Sequence, residues 1–119
     1  MAQVMLATRN DELRAYLAEK LKKCGHAVTR VADLDAALTI LGEAAYDMLL
    51  TTVDMSKPEE LDFARTAQEI DPEMRIMFIT GFSAVAVKKP DEDRMDDVLF
   101  GEPVHLIRLP EAVGRLVAA

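Results

Sequence analysis

Short, almost wholly apolar runs alternate along this chain with apolar residues at helical spacing, and that alternation limits what the chain can fold into more than any other feature. Val4 to Ala7 is one such run, too short for a helix and apolar at every position, as a strand covered on both faces must be. Leu13, Leu17, Leu21 and Cys24 then recur at spacings of four, four and three, which puts one stripe on a helix from about Asp11 to Cys24. Ala27–Val31 reads as a second strand. Leu34, Ala37, Leu38, Leu41 and Ala45 form a second helical stripe behind Asp33 as N-cap. Tyr46–Val53 is a third strand. Ser56-Lys57-Pro58-Glu59 has the form of a capping box with proline in the first turn, opening a helix that ends near Ile70. Arg75–Thr80 and the shorter Asp97–Gly101 complete the strands. A last stripe of Leu106, Leu109, Val113 and Leu116 makes a final helix, whose regular part Pro110 delays to near Leu109.

Strand–helix alternation demands a parallel sheet with helices on both faces, because each crossover returns over the sheet. Five units in 119 residues fit one doubly wound α/β domain, a five-stranded parallel sheet in the order 2-1-3-4-5. One segment departs from the pattern. Lys88-Lys89-Pro90-Asp91-Glu92-Asp93-Arg94 is charged and carries a proline where the fourth helix belongs, so that helix is expected to be short or unwound.

Half of the residues are hydrophobic and 29% are charged, a globular balance and not a disordered one. The formal charge of −7 opposes binding to nucleic acid or to an anionic membrane. Lys20, Lys22 and Lys23 form a small basic group that reads as a helix C-terminus, where cations are favourable. With no signal pattern and no bilayer-length apolar stretch, a cytoplasmic location is expected. The lone Cys24 cannot form an intrachain disulfide, and Gly25 after it reads as a helix-ending glycine. His26 and His105 sit in or beside turns with no evident role, and with one cysteine they suggest no metal site. Met5, Met48 and Met77 read as core filler, and Phe82, just past the fourth strand, as a partly exposed residue.

In such a sheet the carboxyl ends of the strands converge on one crevice, where ligands bind and chemistry is done. That crevice would gather Arg9 and Asn10, Thr51 and Thr52, Thr80, and Glu102. The stretches QEIDPEMRIMFITGF (residues 68–82) and PVHLIRL (from Pro103) carry a resemblance to the receiver domains of bacterial two-component response regulators, the CheY-like family, over nearly the whole chain. Within that family the chain is most similar to the stand-alone CpdR-like receivers. The resemblance implies one receiver-like domain over residues 1–119 with no output domain. It also implies phosphoryl transfer to an aspartate after the third strand, Mg²⁺ held by an acidic pair, and a hydroxyl and a lysine on the phosphoryl group.

Carried over position by position, the acidic pair falls on Arg9 and Asn10, the phosphoacceptor on Thr52, the lysine on Glu102 and the hydroxyl on Thr80. Only Thr80 agrees, although Pro103, which follows the lysine in the family, is kept, and Leu99 stands where members that switch often carry an aromatic. A guanidinium about 4 Å from a dication would repel it by several kcal/mol at an effective dielectric near 20, so neither a metal nor another cofactor is expected. Thr52 lacks a neighbouring base and is no substitute nucleophile; no enzyme is expected. Its β-branched side chain instead suits the end of a buried strand. Asp54 shares a strand face with Thr52 but lies past the strand end, and reads as a loop acid before it reads as a displaced acceptor. Arg9 and Glu102 either pair across the crevice or both face water.

The resemblance then implies an atypical, phosphorylation-independent response regulator, a pseudo-receiver that acts by protein–protein interaction. In the CpdR-like group the unphosphorylated form assists substrate delivery to the ClpXP protease, which makes ClpX one expected partner. Alternatives are a histidine kinase or phosphotransferase, contacted through the first helix at Glu12, Glu19, Lys20 and Lys23, and self-association as a weak dimer of an otherwise monomeric chain. Leu116-Val117-Ala118-Ala119 resembles the small apolar tails that ClpX recognises; the plain alternative is a frayed helix end.

Overall fold

A computed structural model describes residues 2–52, 57–88, 99–100 and 103–118. Its elements are β1 (Gln3–Ala7), α1 (Asp11–Lys23), β2 (Ala27–Val31), α2 (Leu34–Glu43), β3 (Met48–Thr52), α3 (Pro58–Ile70), β4 (Arg75–Thr80), β5 (Ser83–Lys88), β6 (Leu99–Phe100), β7 (Val104–His105) and α4 (Leu109–Ala118). The sheet order is β2-β1-β3-β4-β5-β6, with β7 also paired to β5. The pairs β1–β2, β1–β3 and β3–β4 are parallel, so the expected 2-1-3-4 core stands. Among the described residues no helix is long and apolar enough to cross a membrane.

Why each strand is apolar throughout follows from the two cores. Val4, Leu6, Met48, Leu50, Met77 and Ile79 face one side, buried with Leu17, Leu21, Leu109 and Val113 of α1 and α4. The intervening Met5, Ala7, Leu49, Ile76 and Phe78 face the other, against Ala37, Leu41, Phe63 and Ala67 of α2 and α3. A period of two thus distributes one apolar run over two helix layers. The methionines at positions 5, 48 and 77 are fully enclosed, as core filler should be.

The helix ends show which local signals acted. Asp33 caps α2 by accepting from Asp35 N, as expected. At the end of α1, Gly25 adopts φ +88°, with Gly25 N bonded to Lys22 O and His26 N to Leu21 O. This pair of bonds is the Schellman arrangement, which needs a residue in the left-handed region and so favours glycine. The expected box at Ser56 needs correction. The N-cap of α3 is Lys57, which makes no side-chain capping bond, with Pro58 next; Ser56 lies outside the described residues. The final helix starts at Leu109, where Pro110 falls in its first turn.

The larger correction lies beyond β4. The strand beside it is Ser83–Lys88, antiparallel, where a parallel strand at Asp97–Gly101 was expected. Register pairs Thr80 with Ser83, leaving Gly81 and Phe82 as a two-residue turn. Gly81 has φ +61° and no non-glycine residue has positive φ among the described residues. Positive φ at the first turn residue alone marks a II′ hairpin, whose twist matches the flanking strands. Strand therefore occupies residues 83–88 and takes in Lys88, the first residue of the charged segment where a short or unwound fourth helix was expected; residues 89–98 lie outside the described residues. Of the expected fifth strand, Leu99 and Phe100 form the short β6, antiparallel to β5.

Candidate functional site

Register sets the crevice at the carboxyl edge. Ala7 pairs with Thr51, so one step further Thr8 stands opposite Thr52, on the face toward α1. Their hydroxyls meet at 2.9 Å. Thr8, only 1% exposed, also accepts from Asn10 N at 3.2 Å through the same oxygen. Its carbonyl accepts from Arg14 Nη1 at 2.8 Å, while the other guanidinium nitrogen pairs with Asp11. Thr51 points the opposite way, fully buried, with its hydroxyl 3.4 Å from the carbonyl oxygen of Thr52.

Two expected site residues turn away from this crevice. Asn10 is the N-cap of α1, its Oδ1 accepting from Leu13 N at 3.0 Å. A carboxamide so engaged satisfies one of the open donors of the first turn. Arg9 is exposed and lines a cavity of about 260 Å³ with Asp33, Asp35, Glu59 and Asp62, on the α2–α3 side of the sheet. Arg9 forms no ion pair among the described residues. Thr80 is exposed at the hairpin. Glu102, Asp54 and Ala119 lie outside the described residues, so the alternatives for Arg9 and Glu102 stand as before; Ala118 is the last residue of α4. Among the described residues no group of three or more histidine, cysteine or carboxylate side chains converges on one point.

Sequence reasoning passed over Thr8 and Arg14, which hold the β1–α1 loop. The apolar run ends at Ala7, and nothing local marks the next residue. The signal was the pairing of β1 with β3.

On the exposed side of α1, charges engage one another. Lys23 Nζ lies 3.1 Å from Glu19, one helical turn away, and its hydrogen bond and charge hold the Glu19 carboxyl below its ordinary range. Lys20 stands 5.8 Å from the Tyr16 ring centre, in cation–π contact. Beside them Leu13, Tyr16, Phe82, Leu106 and Ile107 line an apolar groove of about 670 Å³. Phe82 and Ile107 are 78% and 73% exposed, more than the partial exposure expected for Phe82.

Known structures share this architecture. The receiver domain of the hybrid histidine kinase CckA aligns with a TM-score of 0.68 at 22% identity, covering 97% of this chain and 98% of that domain. A transiently phosphorylated switch in bacterial signal transduction aligns at 0.73 and 17% identity, over 98% of this chain and 94% of that one. The fold is that of a CheY-like receiver.

At the level of sequence, the response regulator receiver protein CpdR of Brucella abortus is 34% identical over 119 residues, all of this chain and 99% of that protein. The chain belongs to the response regulator receivers, with CpdR as a relative over its full length. No protein-family model matches it.

Proposed function

We propose that this receiver is a pseudo-receiver, not phosphorylated on aspartate, which acts through protein contacts as a CpdR-like adaptor. The observation that carries the reading is the Thr8–Thr52 hydroxyl pair at 2.9 Å, which occupies the acceptor position with a closed hydrogen bond. Mg²⁺ asks for near-octahedral oxygen ligands including one or two carboxylates. The described residues here do not fit it: two hydroxyls bonded to each other, a carboxamide engaged as a cap, and a guanidinium on the Thr8 carbonyl. A fixed cation at that carbonyl opposes a dication. Acyl-phosphate chemistry needs a carboxylate nucleophile, and a threonine hydroxyl would need a base beside it.

The resemblance to CpdR-like receivers extends this reading to ClpX as partner, with the domain held in its delivery-competent state. Two measurements separate the parts. Incubation with acetyl phosphate and Mg²⁺ followed by mass spectrometry should leave the protein unmodified; an aspartyl phosphate, on Asp54 or elsewhere, would refute the pseudo-receiver. Retention on immobilised ClpX at about micromolar concentration, unchanged by acetyl phosphate, supports the adaptor. Loss of retention would refute the adaptor and leave the pseudo-receiver standing.

A second reading, a decoy for a histidine kinase or phosphotransferase, draws on the apolar groove beside α1. It predicts that added protein slows phosphoryl transfer from a kinase to a working receiver, with the effect lost in Phe82→Ser. An unchanged transfer rate would remove it.

A further inference from the structure

His26, which the sequence left without a role, joins three parts of the chain. Its backbone is fixed by the Schellman bonds that end α1, and its side chain is buried, 8% exposed. Ala2 N–H donates to its Nδ1 at 3.1 Å. Its Nε2 lies 3.2 Å from the carbonyl oxygen of Pro110 in the first turn of α4. Gly114, one turn further, brings the helix against the ring, where an added Cβ would stand 3.7 Å from Cε1.

The two partners determine the ring's state. A backbone N–H can only donate and a carbonyl oxygen can only accept, so Nδ1 must be bare and Nε2 must carry hydrogen. Only the neutral Nε2–H tautomer satisfies both. An imidazolium would turn N–H toward N–H at Ala2 and leave a buried donor without a partner.

We propose that His26 is a proton-sensitive clamp that fastens α4 to the start of β1. Protonation opens the clamp and loosens the seam whose apolar side, Leu109 and Val113, packs with Leu17 and Leu21 of α1. Both ring bonds go to backbone atoms, so no side-chain charge offsets the added proton directly. The titratable and charged groups on the elements packed around it are Lys22, Lys23 and Cys24 at the end of α1, Arg30 on β2, and Glu111 and Arg115 on α4, all exposed. Asp47, also exposed, accepts from Gln3 N next to the clamp.

Ring nitrogen shifts and amide hydrogen exchange test this on the whole chain. At about pH 8 the His26 ring should show the neutral Nε2–H tautomer, and the Nδ1–H tautomer would overturn the assignment. Lowering the pH until the ring nitrogens report the imidazolium should raise exchange across α4, corrected for its intrinsic pH dependence, about fivefold, the loss of one ordinary hydrogen bond. In His26→Gln that pH response should vanish, whereas His105→Gln should keep it. A response that follows His105, or that persists without His26, would overturn the clamp. Should His26→Gln fail to fold, the wild type decides alone. Ring titration and α4 amide shifts must trace one curve, and separate midpoints would refute the coupling.

Discussion

The Thr8–Thr52 contact makes a quantitative prediction through a cycle of Thr8→Val, Thr52→Val and the double variant. Valine keeps the β-branched shape and removes only the hydroxyl. Thr8→Val takes a partner from Thr52 and from Asn10 N, in a site where Thr8 is 1% exposed. The groups left unpaired are only partly buried, so a cost of about 1–2 kcal/mol is expected, toward the lower end of the penalty for an orphaned buried group. Thr52→Val removes one bond and leaves Thr8 its amide partner, at about 1 kcal/mol. The double variant deletes both members of the hydroxyl pair, so its cost should fall short of the sum by about 1 kcal/mol. Urea unfolding followed by circular dichroism reads each corner, with slopes checked for equality so that midpoints report stability alone. Additivity within about 0.3 kcal/mol would mean that the hydroxyls do not interact and that no hydrogen bond closes the acceptor position.

Other substitutions probe the frame around that site. Gly81→Val should destabilise by about 1–2 kcal/mol from backbone strain alone, because φ is +61° and nothing lies within 4 Å of an added Cβ; an unchanged urea midpoint would exclude the II′ turn. Lys57→Asp should stabilise α3 by about 0.5–1 kcal/mol, since the N-cap there makes no side-chain bond. A lower thermal midpoint would contradict it. Gly114→Ala should raise stability by up to about 1 kcal/mol, as helix propensity is gained at an ordinary contact distance from His26. Loss of stability would show the helix–ring approach to be tighter than 3.7 Å. Leu21→Ala, at a fully buried position, should cost about 2–5 kcal/mol, and a cost below about 1 kcal/mol would mean that the seam collapses freely.

What the residues disclosed in advance depended on the range of the interaction. Local signals were readable: Gly25 as the left-handed end of α1, Asp33 as a cap, and four apolar runs as the parallel core. The hairpin was local too, since Thr80-Gly81-Phe82-Ser83 puts glycine where a II′ turn needs it. The proline and charges at Lys88–Arg94 drew attention to a failing helix instead, and the apolar run Ala84–Val87 passed unread. Thr8 and His26 were hidden for another reason. Their partners lie 44 residues away at Thr52, and 24 and 84 residues away at Ala2 and Pro110, distances that no periodicity reports. The acidic pair that the resemblance implies falls on Arg9 and Asn10, one and two positions past the residue whose hydroxyl meets Thr52.

The hairpin after β4 has a kinetic consequence as well. Joining β1 to β3 brings together residues 44 positions apart, as Val4 and Met48 are. β5 reaches β4 across a turn of two residues. Chain-closure entropy makes the distant encounter dearer by about 3 kcal/mol, and hairpins zip within microseconds. The antiparallel arm is therefore the strand pair of this sheet that closes at the least entropic cost.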